Sequence, residues 1–359
     1  MKKEIKKILV IKLRHIGDVV LTTPVFESLR QLYPQASLTA LVNSGTEAML
    51  AENPHVDRVF VLERDKNHIA DLKKQIALIA KLRKFRFDLA IELTNNDRGA
   101  ACSFLSGAKR RLGYRSKNMR FLDRHHLFTD LVTLKSGLHI VDRHLEMIRY
   151  LKFDSAKIGP ELFWSKEEEL MCRKIFEKRG ASFDEQFAVI HPTLDAKYKE
   201  WNSVDCSLLC DYLFDRWKVQ PILVCGPTVD EMDFTKQVSL TANNPVINFG
   251  GQLSLRQLVA LIANAVIFVG VDSGPMHMAA AVKTPVVAIF GPQNPRRWGP
   301  WGKGHIVVQK SWECVPCKKK GCDNRGTTSL CLEKLSVDEV IPAIDLQMRG
   351  IKSDINLGT

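Results

Sequence analysis

The chain has 359 residues, of which 45% are hydrophobic and 26% charged, a length that exceeds one ordinary hydrophobic core and calls for two domains. No stretch approaches the ~20 apolar residues of a membrane span, and the N-terminal run ILVIKL is broken by Lys12 and followed by Arg14, His15 and Asp18, unlike a secretory signal. The charge is uneven: residues 1–150 hold 27 Lys and Arg against 16 Asp and Glu (+11), while residues 151–359 hold 25 against 24 (+1). A basic half calls for an anionic partner. With no zinc-finger, RNA-recognition or basic-zipper pattern, the expected partner is a phosphorylated or membrane-surface substrate and not nucleic acid.

The apolar run at 8–13 is rich in β-branched residues and reads as a buried first strand; from Thr22 the text reads as a helix with apolar positions at 25, 26, 29 and 32. Further strands are expected at 37–43, 58–63 and 87–94, with helices around 68–84, from 97 onward and over 139–153. After the polar stretch DSAKIGPELFWSKEEEL, helices at 166–180, 203–217, 229–241, 254–265 and 274–282 alternate with strands at 187–193, 220–228, 246–251, 266–273 and 285–292. Such alternation predicts parallel sheets in α/β layers. We expect two doubly wound, Rossmann-like domains facing across a cleft, over 1–155 and 156–335, with a C-terminal helix and tail over 336–359. Ligands of such sheets bind beyond the carboxyl ends of the strands.

Several motifs stand at that position. In RHIGDVV, Gly17 and Asp18 mark the handover from strand to helix; Asp18 is either a turn residue capping the next helix or a carboxylate offered to the cleft, with Gly17 leaving room for an approaching molecule. In IFVGVDSGPMHMAAA, a strand ends at Asp272 and Ser273, and a helix opens with Gly274, Pro275 and His277. Its free N–H groups suit a phosphate. In VIHPTLDAKYKEWN, Thr193, Lys197 and Lys199 follow a strand and suit phosphate neutralisation, while Trp201 is expected to pack. In VCGPTVDE, Asp230 and Glu231 open a helix and can take ribose hydroxyls, or serve only the helix dipole. The densest basic cluster, residues 109–126, includes Arg110, Arg111 and Arg115.

Taken together, GDVVLTTP, HPT…KEW, GP…DE and GVDSGPMHMAAA…P…IFGP resemble the signature of the ADP-heptose:lipopolysaccharide heptosyltransferases, inverting GT-B enzymes of glycosyltransferase family 9. The resemblance spans nearly the whole chain and leans toward the type that adds the third heptose. It implies an acceptor-binding first domain and an ADP-sugar-binding second domain, with Asp18 as general base. It implies Thr193, Lys199 or its neighbour Lys197, Asp272, Ser273, Gly274 and His277 as donor contacts. Glu231, at its helix start, is expected beside them. Gly17 beside Asp18, and Arg110, Arg111 and Arg115 of the basic cluster, are expected on the acceptor side. The expected acceptor is the anionic lipopolysaccharide core, met by a monomer at the inner face of the inner membrane. No catalytic cofactor or metal is expected. A GT-B transferase of another nucleotide sugar, or a nucleotide-sugar epimerase, is the alternative; an epimerase would need no basic acceptor domain.

Cys314, Cys317, Cys322 and Cys331 are separated by two, four and eight residues. In a cytoplasmic protein this clustering favours a structural zinc site, with disulfides or plain thiols as alternatives. The remaining five cysteines are expected to be small buried hydrophobes.

Overall fold

The computed structural model describes residues 4–65, 67–115, 124–155, 158–322 and 326–357. The chain divides into two compact units, Met1–Phe163 and Trp164–Thr359. The division falls at 163 where the sequence pattern pointed to 155, and the last helix belongs to the second unit.

The first unit starts with β1 (Lys7–Lys12), the short helix α1 (Ile16–Val20) and α2 (Thr23–Leu32). Then come β2 (Ser37–Asn43), β3 (Arg58–Leu62), α3 (His68–Phe85), β4 (Leu89–Glu92), α4 (Asp97–Leu105), β5 (Arg110–Tyr114), β6 (Asp130–Val132) and α5 (Ile140–Tyr150). The strands form one parallel sheet in the order β3-β2-β1-β4-β5-β6. Strands β1 and β4 are buried on both faces, as their unbroken apolar runs require. Strand β5 and β6 were hidden in the sequence, because RRLGY and DLV are short, charged pieces near one sheet edge.

The second unit repeats the plan. It runs α6 (Lys166–Glu177), β7 (Phe187–His191), α7 (Ser203–Tyr212), β8 (Gln220–Leu223), α8 (Val229–Thr241), β9 (Ile247–Asn248) and α9 (Leu255–Ala263). It continues with β10 (Ile267–Val271), α10 (Gly274–Ala281), β11 (Val286–Phe290), α11 (Pro295–Trp298), β12 (Ile306–Gln309), α12 (Leu330–Glu333) and α13 (Val337–Leu357). Its parallel sheet has the order β12-β11-β10-β7-β8-β9, which is the first unit's order counted from the other edge. In each unit the order reverses beside the first strand, between β1 and β4 and between β7 and β10. A crevice opens at the carboxyl ends of those two strands, because successive crossovers leave in opposite directions.

Helix starts follow their caps. Ser165 and Ser254 form capping boxes with Glu168 and Gln257, and Asn67, Asn96, Asn202 and Thr228 each accept from backbone N–H groups of the helix they begin. The core of the second unit gathers Ile190, Leu209, Val269 and Ile289 with Val340, Ile344 and Met348 of α13. Trp201 is buried there and donates its indole N–H to Leu335 O at 2.8 Å, so it packs as expected. Trp201→Phe keeps most of the ring but leaves that buried carbonyl without its donor. A loss of about 1–3 kcal/mol in urea unfolding is expected.

Candidate functional site

In the first unit the crevice is built around Lys12, the last residue of β1, whose side chain is only 4% exposed. Its ammonium meets three acceptors: Leu93 O at 3.2 Å beyond β4, His144 Nε2 at 3.1 Å on α5, and Asp18 Oδ1 at 3.1 Å on α1. The ring of His144 has a fixed tautomer. Its Nδ1 lies 3.0 Å from Leu21 O, a carbonyl that only accepts, so Nδ1 carries the hydrogen and Nε2 is left to accept from Lys12. Burial, and then the charge of Lys12, hold the imidazole well below its usual range, hence neutral. Burial lowers Lys12 itself, opposed by Asp18 and Glu92.

Helix α1 begins at Ile16, so Gly17 and Asp18 lie inside its first turn and not after it. Neither α1 nor α2 has a side-chain cap, which removes the reading of Asp18 as a helix cap. The Asp18 side chain is 15% exposed, and its second oxygen makes no hydrogen bond among the described residues. Gly17 is buried beside it. The arrangement presents one carboxylate oxygen at the carboxyl edge of the sheet while the other is held by a buried cation. That suits proton abstraction from an approaching hydroxyl.

The basic cluster is placed elsewhere. Arg110 and Arg111 open β5, at the amino edge of the sheet, level with Leu89 and Ala90. Arg110 makes a two-point pair with Asp130 at 3.1 and 3.0 Å, and Arg111 donates to Leu127 O and Ala108 O, both at 2.7 Å. These guanidinium groups hold their own unit together, and the structure does not bring them to Asp18. Arg115 follows β5 at the carboxyl edge and is exposed. Residues 116–123 of the cluster lie outside the described residues.

The second unit's crevice is spanned by Lys199, which pairs with Asp272 Oδ2 at 2.6 Å and donates to Asp272 O at 3.2 Å. This links the loop after β7 to the end of β10. Burial raises Asp272, opposed by Lys199. Lys197, the rival, turns outward to the exposed Asp230 at 2.8 Å. Thr193 donates to Glu200 Oε2 at 2.5 Å, and Ser273 Oγ lies 3.3 Å from His191 Nδ1. Burial lowers His191 to about 4, so this ring is neutral too. Ser273 stands at the cap position of α10 without capping it, Gly274 and Pro275 open the helix, and His277 is buried in its first turn. The start of α10 therefore offers N–H groups and a helix dipole beside the Lys199 ammonium, a setting for an anion. Glu231 is buried at the start of α8, accepting from Gly226 N at 3.1 Å and Thr228 Oγ1 at 2.6 Å. A Cβ at Gly226 would stand 2.7 Å from Glu231 Oε2 and would push that carboxylate aside.

The zinc site is not formed. Cys314, Cys317, Cys322 and Cys331 are all described and unbridged, and no group of three or more His, Cys, Asp or Glu among the described residues could hold a metal ion. Cys331 sits buried in the first turn of α12, where burial and the nearby cysteines raise its thiol to about 11.

Against known proteins, the family model "Glycosyltransferase family 9 (heptosyltransferase)" matches residues 75–327. The chain belongs to this glycosyltransferase family. A family 9 relative from Escherichia coli strain K12, "Lipopolysaccharide heptosyltransferase 3", is 30% identical over 82% of this chain and 85% of its own length. A family 9 glycosyl transferase structure from Veillonella parvula superposes with a TM-score of 0.85 at 23% identity, covering 98% of this chain and 99% of that one. The structure of E. coli heptosyltransferase WaaC with ADP-2-deoxy-2-fluoro heptose gives 0.73 at 18% identity, covering 94% and 99%. The expected α/β fold and glycosyltransferase class both hold for this family 9 enzyme.

Sequence reasoning missed Lys12 and His144. A lysine following the buried apolar run ILVI of β1 had to find partners or stay out of the core, which was a usable signal. His144 shares the apolar face of α5 with Ile140, Val141 and Ile148, so it reads as a core residue until Lys12 is seen beside it.

Glu92 lies near this network, buried, accepting from Thr94 N at 2.7 Å and Asn95 N at 3.0 Å. Burial raises it from 4.5 to about 7, so the folded chain keeps a proton that the unfolded chain releases. Its contribution to stability is full below about pH 4.5 and is lost as pH rises through about 7. Glu92→Gln keeps an accepting oxygen. The fall in urea midpoint from about pH 5 to about pH 8 is expected to be smaller in this variant than in the wild type; equal falls would mean that Glu92 is ionised throughout.

Proposed function

We propose that this enzyme transfers heptose, with inversion, from ADP-L-glycero-D-manno-heptose to the inner core of lipopolysaccharide. The observation that carries the reading is Asp18, a partly exposed carboxylate fixed by a buried lysine at the strand-order reversal of the first unit. The names of the relatives support the donor and the acceptor, and two E. coli relatives named heptosyltransferase 3 support addition of the third heptose. The basic first unit would take the phosphorylated acceptor, with Arg115 as its exposed cation at the functional edge. The second unit would take the donor. One chain carries both sets of residues, which fits a monomer; a lipid-linked core acceptor would place its work at the inner face of the inner membrane.

The free oxygen of Asp18 accepts the proton of the attacking acceptor hydroxyl. The hydroxyl oxygen bonds to the anomeric carbon from the face opposite the diphosphate, and the bond to ADP breaks with its electron pair left on the phosphate oxygen. Lys199, the opening N–H groups of α10 at Gly274, and Ser273, Thr193 and His277 oppose that charge, with Asp272 holding Lys199 in place. Lys197 would add a more distant positive charge, and Glu231 would take the ribose hydroxyls. Gly17 leaves the approach to Asp18 open.

The test is Asp18→Asn. Asparagine still offers Lys12 an oxygen, so the cost in stability is about 1–3 kcal/mol and ADP binding by calorimetry stays at the wild-type level. Transfer to a truncated core, followed by mass spectrometry, is expected to slow ~10²–10⁴-fold. Wild-type turnover in this variant overturns the assignment of the base.

A further inference from the structure

Helix α3 is apolar on two opposite sides. One side is used: Leu78 and Leu82 are buried, and Ile79 and Phe85 pack against the same core. The other side is not. Ile69, Leu72 and Ile76 are 69%, 59% and 61% exposed, and their i, i+3, i+7 spacing puts them on one stripe. The fold gains nothing from a second apolar face, and an isolated stripe of large aliphatic side chains in water is unfavourable.

The charges beside the stripe say what it meets. At about 100° per residue, Lys73 and Lys84 flank it on one side, and Arg83 continues its line about two turns beyond Ile76. The helix's one acid, Asp71, points away, toward Asp65 N and Gln75. The nearby acids Glu63 and Asp65 are both engaged by Lys74. An apolar stripe with a cationic rim is the pattern of a helix lying in the interfacial plane of an anionic bilayer. A second copy of the chain is a poor occupant, since the cationic rims would face each other.

Position adds to the argument. Because β3 and β4 are parallel strands of one sheet, α3 starts at its carboxyl edge and runs back. Ile69 and Leu72 therefore lie toward the edge that carries Asp18.

We propose that α3 docks this enzyme on anionic lipid through Ile69, Leu72 and Ile76, with Lys73, Arg83 and Lys84 reaching the headgroups. The biological sense of this rests on the proposed lipid-linked acceptor; the measurement does not. The experiment is flotation of the full chain with phosphatidylglycerol-rich vesicles and with pure phosphatidylcholine vesicles. The wild type is expected to float with the former and much less with the latter. Ile69→Gln/Leu72→Gln/Ile76→Gln and, separately, Lys73→Gln/Lys84→Gln are each expected to bind the anionic vesicles tenfold or more weakly, while transfer to a water-soluble acceptor oligosaccharide is unchanged. Equal vesicle binding by wild type and the triple variant overturns the proposal. So does a wild-type dimer in light scattering that the triple variant abolishes without any vesicle binding, which would give this face to a second copy. Normal flotation of Asp18→Asn alongside its loss of transfer supports the docking face independently of the base.

Discussion

An ammonium group taken out of water has three hydrogens to satisfy, and Lys12 satisfies them with a main-chain carbonyl, a neutral imidazole and a carboxylate from three different segments. The desolvation penalty is several kcal/mol for such an ion, so the group is tolerable only if all three acceptors are in place together. That requirement ties the end of β1 to the exit from β4, to the first turn of α1 and to α5. It also dictates chemistry at a distance: His144 must be neutral with its hydrogen on Nδ1, because a protonated ring has nothing to offer an ammonium. Asp18 is held by the same demand that holds the fold together.

The second unit builds its own crevice with the partners exchanged in role. There the lysine arrives from a loop and the carboxylate stands at the strand's end, and the Lys199–Asp272 pair closes over the start of α10. One crevice thus exposes a carboxylate with a spare oxygen, and the other concentrates positive charge near uncapped N–H groups. The shared strand order accounts for the parallel placement, and the local residues account for the difference.

Much of this was legible before any coordinates. The alternation of apolar runs announced two doubly wound units, and Thr193, Lys199, Asp272 and Ser273 all stand where strand ends put them. What stayed hidden was hidden for physical reasons. Strands β5, β6 and β12 are three to five residues long and sit toward sheet edges, where burial is partial and hydrophobic pattern weak. Arg110 and Arg111 look like ligand residues in a list of charges, yet strand direction puts them at the opposite edge and Asp130 claims one of them. The cysteine spacing suggested a metal, but spacing along the chain does not fix side-chain geometry, and among the described residues these cysteines do not form a metal-holding group.

The place of α13 has a bearing on how the chain is made. Val340, Ile344 and Met348 complete the same core that Ile190 and Trp201 begin, about 150 residues earlier. The first unit is contiguous, Met1–Phe163, and among the described residues its strands are all in place by residue 132. During synthesis it can collapse while its successor is still emerging. The second unit cannot close until α13 has left the ribosome, so its half-built sheet waits with an exposed apolar face. The interval between those two moments is the stretch in which this enzyme is most open to aggregation and has most to gain from a chaperone.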